Sequence, residues 1–397
     1  MSDTKKDIIF IMNNLNCGGA EKALVSLLQS LDYSQYKVDL FLFKREGLFL
    51  SQVPKQVTIL DAPKNYPYFD MSLKLAIIEN LKKGNLKVIF YRIIIGLINK
   101  RETVNSIKEQ KVWRYLKKVM PKLEKKYDIA VGFLEKTPNY FCVDNVNAKK
   151  KIGYVMNDYE KLMMSKEIDN YYFSKLDYIV QDSEESNSTM KKKFPQFEKK
   201  LVVVKSIMSS ATIRQLAKEN VEDMQKKGFT IVSVGRLSYQ KGYDLAIDAM
   251  KILSERGFDF NWIILGEGED KQKLQQIVKD YKLESKVYFL GIKENHYPYL
   301  LQADVFLHTA RFEGYGIVVQ EAKILNKPML LTDFKTSKTH IENGINGYIV
   351  AMKPQEIADG LEKLIKDENL RKQFSTALSQ HDFGTENEIE SFYSLIQ

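Results

Sequence analysis

The sequence predicts an α/β protein built from two doubly wound domains, each with a parallel sheet. Short runs of β-branched and aromatic residues alternate with segments of helical periodicity, which is typical of βα units. This alternation lapses once, between residues 205 and 228, and then begins again. A chain of 397 residues, 44% of them hydrophobic, also exceeds what one hydrophobic core usually organises.

The first βα series occupies residues 1–205. Its expected strands are the runs DIIFIM, KVDLFLF, DIAVGFL, KIGYV and DYIVQ, and AEKALVSLLQSL has the spacing of an amphipathic helix. A polar, strand-poor segment follows, and we interpret it as a linker. The second series has the expected strands FTIVSVG, FNWIILG, KVYFLG, ADVFLHT and PMLLT. We therefore expect a second domain over residues 206–380, linker included, and a separate terminal segment over 381–397.

The net charge of +9 comes entirely from the first half of the chain. Residues 1–205 hold 36 Lys and Arg against 24 Asp and Glu, whereas the remainder holds 24 against 27. Residues 82–126 alone carry 14 basic and 3 acidic side chains, interleaved with aromatic and aliphatic ones. Such a basic amphipathic stretch favours an anionic membrane surface. One alternative is that the apolar residues are helix faces packed on the domain core and the lysines are their solvated side. Nucleic-acid binding is another, but no nucleic-acid motif accompanies the stretch.

Targeting segments are not expected. The first apolar run has only five residues, and the run VIFYRIIIGLI is interrupted by Arg92, so both are too short for a signal peptide or a membrane span. Cys17 and Cys142 are far apart in sequence, which implies no disulfide framework and fits a reducing cytoplasm.

Ligands of open α/β sheets bind beyond the carboxyl ends of the strands, so the residues that follow each strand are the candidates. After the first strand, Gly18 and Gly19 allow a tight turn before a helix whose N-terminus favours an anion. After TIVSV, Arg236 and Lys241 flank a turn that suits a diphosphate, although two solvated surface charges are the alternative. Gly266, after NWIIL, would let a planar group approach the backbone or would simply make a turn.

Two glutamates stand eight residues apart in RFEGYGIVVQEA. Glu313 is expected in a loop just past a strand end, and Glu321 about one turn into the following helix. A phosphate could lie on the N–H groups near Gly316 and Ile317, and the carboxylates would then accept from hydroxyls of a ribose and a sugar on its two sides. One alternative is a metal pair, for which His308 is the only nearby histidine. The other has Glu313 exposed and Glu321 on the helix surface.

The order of the motifs GGAE, GRLSYQKG, LGEGED, FLG and RFEGYGIVVQEA, with its E-x7-E spacing, resembles the retaining glycosyltransferases of family 4, of the bacterial surface-polysaccharide type. The resemblance is dense over residues 229–350 and loose before them, except at the first βα turn. It implies the GT-B architecture, in which two Rossmann-like domains face each other across a cleft. It also implies a nucleotide-sugar donor in the C-terminal domain, an acceptor in the N-terminal domain, and a last helix that crosses back to the N-terminal domain.

The same resemblance implies roles for individual residues. Arg236 and Lys241 would hold and stabilise the leaving diphosphate, Glu313 would face the transferred sugar, and Glu321 would accept from the ribose. The family retains the anomeric configuration and needs no bound metal or other cofactor, and uridine is the base that we expect, with guanosine second. The donor-binding set is completed by Gly18, Gly19, Gly266, Gly314, Tyr315, Gly316 and Ile317.

The chain departs from the family in one stretch. Relatives commonly have a His in a strand-end segment like KKIGYVMNDYEKL, where this chain has Met156, Asn157 and Asp158. Asp158 or a backbone group would then replace the contact of that His to the donor sugar. The departure keeps open a second class of function, a non-catalytic nucleotide-sugar-binding partner or regulatory subunit.

The acceptor side of such an enzyme is its N-terminal half, where the excess positive charge lies. We therefore expect a saccharide acceptor that is linked to a lipid, and a cytoplasmic protein that associates peripherally with the inner face of the cell membrane through residues 82–126.

Overall fold

The computed structural model describes residues 5–16, 18–224 and 228–397, and they form two compact units. The first comprises the chain up to Asn16, Ala20–Lys205 and Asn387–Gln397. The second comprises Ser206–Glu386 with Gly18 and Gly19. Cys17 lies outside the described residues, and Cys142 is buried.

A seven-stranded parallel sheet forms the centre of the first unit, in the order β3-β2-β1-β4-β5-β6-β7. The strands are β1 (Lys6–Met12), β2 (Tyr36–Leu42), β3 (Thr58–Ile59), β4 (Lys126–Gly132), β5 (Asn147–Val155), β6 (Tyr178–Gln181) and β7 (Leu201–Val203). The helices are α1 (Gly19–Ser30), α2 (Pro67–Asp70), α3 (Leu73–Lys82), α4 (Leu86–Arg101), α5 (Asn105–Leu116), α6 (Thr137–Asn145), α7 (Lys166–Ser174) and α8 (Glu184–Lys193). The last five residues of β1 are buried, as expected for a central strand covered on both faces.

The second unit has a six-stranded parallel sheet in the order β10-β9-β8-β11-β12-β13. Its strands are β8 (Thr230–Val234), β9 (Asn261–Leu265), β10 (Val287–Gly291), β11 (Val305–His308), β12 (Met329–Thr332) and β13 (Tyr348–Val350). Its helices are α9 (Ser210–Leu216), α10 (Tyr243–Glu255), α11 (Lys271–Asp280), α12 (Tyr297–Gln302), α13 (Ile317–Ile324), α14 (Ser337–His340), α15 (Pro354–Lys366) and α16 (Glu368–Ser379). The prediction of two doubly wound α/β domains is confirmed.

The segment interpreted as a linker is part of the second unit. Met208 and Ile213 are buried in its core beside the sheet residue Val232, so the polar composition of the segment conceals a small apolar face. At the other end, Phe383 packs against the same core, and the backbone N–H of Thr385 donates to the carbonyl of Met208 at 2.9 Å. Residues 381–386 therefore stay with the second unit, and the chain returns to the first at Asn387.

The last helix, α17 (Glu388–Ile396), packs on the sheet of the first unit. The ring of Phe392 stacks on Phe10 of β1 with centroids 6.0 Å apart, and Tyr393 stacks on Tyr36 at 5.7 Å. Lys6 Nζ donates to the carbonyl of Ile396 at 3.2 Å. The helix thus covers β1 and β2 near one end of the sheet.

Part of the basic stretch 82–126 serves the fold of the first unit. Trp113 is fully buried, and its Nε1 donates to Asp144 at 2.9 Å. Lys117 also pairs with Asp144, at 3.1 Å, and Lys125 forms ion pairs with Asp7 at 2.6 Å and with Asp39 at 2.9 Å. These lysines are therefore engaged within the unit, a use that the sequence did not indicate.

Each sheet reverses its strand order beside its first strand. In the first unit β1 lies between β2 and β4, and in the second β8 lies between β9 and β11. The loops that leave neighbouring strands on either side of such a reversal diverge, which opens a crevice at the carboxyl edge. Each unit therefore has one place where a ligand site is expected.

The packing of α17 predicts that Phe392→Ala will destabilise the first unit. A buried aromatic residue replaced by Ala typically costs about 3–5 kcal/mol. Hydrogen exchange should therefore become faster for the amides of β1 and β2. Ser394→Ala, which alters an exposed side chain of the same helix, is the control and should leave exchange unchanged. Equal exchange in both variants would contradict the packing described.

Candidate functional site

The loops that follow β8 and β11 form the candidate site of the second unit. These strands are neighbours, with Val305 opposite Ile231, so the loops that leave them lie side by side. Lys241 ends a short 3₁₀ turn in the first loop, and Glu313 lies in the second. Lys241 Nζ donates to Glu313 Oε1. The structure thus brings together two residues that the sequence singled out separately.

Backbone contacts fix the two loops against each other. Thr309 Oγ1 donates to the carbonyls of Lys241, at 3.1 Å, and Gly242, at 3.0 Å. Gly242 has a φ of +64°, and a Cβ atom there would lie 2.1 Å from the carbonyl oxygen of Thr309. Only glycine fits this position, because any side chain would push the loops apart.

The two arginines of this region differ in their surroundings. Arg311 makes a bidentate ion pair with Asp244, at 2.8 and 2.6 Å, and its guanidinium lies 4.1 Å from the centre of the Tyr239 ring. Arg311 therefore joins the two loops. Arg236, just after β8, is exposed and forms no hydrogen bond or ion pair within residues 5–16, 18–224 and 228–397. Its guanidinium can therefore reach an anion at the strand end.

Glu313 is buried and anionic. Burial alone would raise the pKa of its carboxyl, but the Lys241 ammonium and a 2.9 Å hydrogen bond to His308 Nε2 lower that pKa to about 2. Burial also lowers the pKa of His308, so a neutral imidazole carries its proton on Nε2 and donates it to the carboxylate. A carboxylate held in this way can only accept hydrogen bonds, and it cannot act as a general acid near neutral pH.

Glu321 is also buried, with 1% of its surface exposed, on α13. His296 Nε2 lies 2.7 Å from its Oε2, and the hydroxyl of Tyr297 donates to its Oε1 at 3.3 Å. The alternative that places Glu313 and Glu321 on the surface is therefore wrong.

The turn before α13 presents a helix N-terminus next to Glu313. Gly316 is the N-cap, with a φ of +82°, and α13 begins at Ile317, whose N–H has no partner within the helix by geometry. Burial, followed by the charge of Lys323, lowers the pKa of His340 to about 3, so its neutral ring donates from Nε2 to the carbonyl of Tyr315. Gly314 lies in the same turn.

The other glycines that the sequence predicted for a donor site follow β9 and β1. Gly266 follows β9 with a φ of +149°, and a Cβ atom on it would lie 2.0 Å from the carbonyl oxygen of Gly235. Backbone packing thus accounts for this glycine without a ligand, in line with the plain-turn alternative. Gly18 lies in the connection from β1, and Gly19 is the first residue of α1.

Asp158 lies in the first unit, in the turn after β5, and is buried. Its carboxylate accepts from the backbone N–H of Glu160 at 3.0 Å. A second carboxylate, that of Glu135, accepts from the N–H of Met156 at 3.1 Å and from Asn157 Nδ2 at 2.9 Å. Glu135 thus connects the loop after β4 to the end of β5. The sequence analysis did not identify this residue.

A pocket of about 340 Å³ opens at the strand-order reversal of the first unit. Its polar wall includes two asparagines after β1, a threonine after β4 and the Lys44–Asp70 ion pair, which closes at 2.6 Å. Aromatic rings also line the pocket. The lining residues are Asn13, Asn14, Lys44, Tyr66, Phe69, Asp70, Ile95, Asn99, Glu109, Val112, Trp113, Leu116 and Thr137.

Three of the four histidines contact residues of the second unit's site, and the sequence analysis considered only His308 there, as a ligand for a metal pair. His308 and Thr309 end or directly follow β11, which is where ligand-side residues are expected, so their position was a usable signal. His296 and His340 come from other loops, and their approach to Glu321 and Tyr315 depends on packing. No group of three His, Cys, Asp or Glu side chains suited to a metal ion occurs among the residues described.

The pairing of the buried Glu313 with Lys241 predicts that the stability of the second unit is sensitive to acid. The pKa of Glu313 in the folded protein is below the usual value of 4.5. Its ionisation therefore contributes fully to the free energy of unfolding above pH 4.5, and this contribution decreases as the pH falls towards 2. The free energy of unfolding of the Glu313→Gln variant should be about 3 kcal/mol lower than that of the parent protein at neutral pH. In acid the two free energies should converge. Urea unfolding of the second unit, followed by Trp262 fluorescence in a Trp113→Phe background, measures this.

The matched control is Glu267→Gln, which removes a half-buried carboxylate paired with Lys271. This substitution should leave the dependence of the unfolding free energy on pH unchanged. If the free energy of unfolding changed between pH 6 and pH 3 by the same amount in Glu313→Gln as in the parent protein, the conclusion that Glu313 is ionised with a lowered pKa would be wrong.

Comparison with known sequences finds a family match over the second unit, which contains the candidate site. Residues 215–381 match the family described as Glycosyl transferases group 1. The amylovoran biosynthesis glycosyltransferase AmsD of Erwinia amylovora is 32% identical over 41% of this chain and 46% of its own length. N-acetylgalactosamine-N,N'-diacetylbacillosaminyl-diphospho-undecaprenol 4-alpha-N-acetylgalactosaminyltransferase of Campylobacter jejuni is 27% identical over 56% of this chain and 60% of its own length. In three curated relatives, the part that aligns with this chain is 46% to 65% of the relative's own length.

Comparison with solved structures covers the whole chain. TarM of S. aureus, in a crystal structure with Fondaparinux, alpha-GlcNAc-glycerol and UDP, has a TM-score of 0.68, with 99% of this chain and 100% of TarM covered. The two sequences are 14% identical, so this similarity concerns the fold alone. The chain therefore has the fold of GT-B glycosyltransferases, and its second unit carries a sequence that matches group 1 glycosyl transferases.

Proposed function

We propose that this protein is a retaining glycosyltransferase that moves a sugar from a nucleotide-sugar donor, with uridine as the base, to a saccharide acceptor. The observation that carries the proposal is the ion pair of Lys241 with the buried Glu313, beside the N-terminus of α13 and at the strand-order reversal of the second unit. This arrangement supplies a cation, an anion-binding helix end and a fixed acceptor of hydroxyl protons within one set of loops.

The donor diphosphate is assigned to Arg236 and Lys241. An ammonium group has three protons, so Lys241 can donate to Glu313 and still present two protons to phosphate oxygens. The exposed guanidinium of Arg236 adds a bidentate donor, and the N–H groups near Gly316 and Ile317 complete the cradle. Charge that develops on the leaving diphosphate is then stabilised without a metal ion.

The two carboxylates are assigned to the hydroxyl groups on either side of the diphosphate. Glu313 stays ionised, which suits it to accept from a hydroxyl of the transferred sugar. Glu321 is oriented by His296 and Tyr297, and its carboxylate is assigned to accept from the ribose hydroxyls. Asp158 keeps its proposed contact to the donor sugar in place of the missing His. The other donor residues proposed are Gly18, Gly19, Gly266, Gly314 and Tyr315.

The acceptor is assigned to the pocket of the first unit. Amides, carboxylates and a hydroxyl beside aromatic rings are the groups that bind sugars, through hydrogen bonds to hydroxyls and apolar contact with ring faces. The C. jejuni relative is named for a diphospho-undecaprenol-linked substrate, and AmsD for amylovoran biosynthesis. These names support a lipid-linked saccharide acceptor in surface-polysaccharide synthesis, and hence peripheral binding at the inner membrane face, with residues 82–126 as the sequence-predicted contact.

One observation favours a second candidate, a nucleotide-sugar-binding partner without turnover. Met156 stands where relatives commonly have a His, and its backbone N–H is taken by Glu135. A protein of this class would bind the donor through the same residues and transfer nothing.

The test is mass spectrometry of products after incubation with a panel of nucleotide sugars and a lipid extract of the host. We expect consumption of a UDP-sugar, a lipid-linked product heavier by one sugar residue, retained anomeric configuration by NMR, and the same rate with a chelator present. Donor binding without any transfer would support the second candidate instead. A strict metal requirement would contradict the proposed role of Arg236 and Lys241.

Kinetics should separate the roles of the site residues. Arg236→Ala and Lys241→Ala should each lower kcat about 100-fold or more, by analogy with the loss of an oxyanion-hole donor. Glu313→Gln should mainly lower kcat, whereas Glu321→Gln should mainly raise the KM for the donor. Arg256→Ala, which breaks an exposed pair with Glu362, is the control for loss of a cation. If all four site variants had the kcat and KM of the parent protein, the proposed roles of these residues would be wrong.

A further inference from the structure

We propose that exposed apolar side chains of the α3–α4 hairpin dock the first unit on an anionic phospholipid membrane. The proposal deepens the proposed function, because a lipid-linked acceptor gives the chain a reason to reach a membrane. The surface, called here the apolar hairpin face, consists of large apolar side chains that are 36–68% exposed: Leu73, Leu75, Ile78, Leu81, Leu86, Phe90, Ile93 and Leu97.

Helix α4 contributes a regular stripe to this face. Leu86, Phe90, Ile93 and Leu97 follow the spacing i, i+4, i+7 and i+11, which places them along one side of a helix. Their exposed fractions are 68%, 59%, 42% and 50%. Isolated exposed apolar residues are normal on protein surfaces, but an ordered stripe of four marks an interaction site.

The opposite side of α4 is already packed against the unit. Val88 and Ile95 are buried there, and between them Arg92 donates to the carbonyls of Tyr68, at 2.8 Å, and Met71, at 2.7 Å. These contacts fix the rotation of α4 about its own axis. The apolar hairpin face therefore cannot turn inward without breaking them, and it stays available to a partner.

Charge identifies the partner. Between residues 73 and 101 six basic side chains are exposed, and Glu79 is the one exposed acidic side chain. Cations at the border of an apolar surface are the pattern of segments that insert their apolar side chains among anionic lipids. The six are Lys74, Lys82, Lys83, Lys87, Lys100 and Arg101.

A second copy of the chain is a poorer occupant. A two-fold interface pairs the same surface on both subunits, and it would bring these cations against their own counterparts. The length of α4 also fits the plane of a membrane surface, because 16 residues extend about 24 Å, less than the roughly 30 Å hydrocarbon core. In the described parts of the chain, none of the helices has the length and apolar character of a membrane span.

Vesicle flotation of the full chain, without donor, tests the proposal. Wild type should bind vesicles of phosphatidylglycerol and phosphatidylcholine, and bind phosphatidylcholine alone much more weakly. Phe90→Ser combined with Leu97→Ser should lower binding about 10-fold or more, because two large side chains no longer enter the lipid. Lys82→Glu combined with Lys87→Glu should lower binding to the anionic vesicles about 100-fold.

Matched controls separate this surface from general stickiness. Ile345→Ser removes an apolar side chain of similar exposure (58%) in the second unit. Lys191→Glu with Lys192→Glu makes the same charge change on the exposed side of α8. Neither should alter vesicle binding, and circular dichroism should show every variant folded.

Binding that ignores lipid charge, or that survives the hairpin substitutions, would overturn the proposal. So would sedimentation analysis showing a wild-type dimer that the hairpin variants dissociate. Vesicle binding with no sugar transfer would reject the proposed function and keep this surface. Transfer to a soluble acceptor, retained when the hairpin variants no longer bind vesicles, would support both.

Discussion

The pairing of β8 with β11 is the constraint on which the candidate donor site depends. These strands are far apart in sequence, yet their adjacency sets the loops around Lys241 and Glu313 side by side. Contacts of Thr309 and Gly242 then hold the loops together, and the buried carboxylate of Glu313 acquires a cationic partner. The burial of Glu313 is tolerable only because both a cation and a hydrogen-bond donor meet it, since an unpaired buried carboxylate would take up a proton.

The first unit applies the same topology to different chemistry. Its reversal beside β1 is lined by amides, aromatic rings and the Lys44–Asp70 ion pair. The second unit's reversal presents cations and N–H groups. One fold thus gives two edges that carry different chemical groups, because the loops differ while the sheets do not.

The sequence predicted the long strands and the positions of both glutamates because those features are local. Runs such as DIIFIM and NWIIL carry enough β-branched and aromatic residues to identify themselves, and a residue just after a strand lies at the carboxyl edge by definition. The edge strands β3, β7 and β13 have only two or three residues and escaped prediction. His296, Glu135 and the core role of Ile213 escaped too, because each depends on contacts between distant segments.

Helix α4 belongs to two surfaces at once. Ile95 and Asn99 line the pocket of the first unit, whereas Phe90, Ile93 and Leu97 lie on the apolar hairpin face. A displacement of α4 by a few tenths of an ångström would therefore change both. Thermodynamic linkage makes such an effect reciprocal: if adsorption of the hairpin to lipid tightened the pocket around a saccharide, a saccharide in the pocket would strengthen adsorption by the same factor. The residence time of the protein on a membrane would then report how much acceptor that membrane carries.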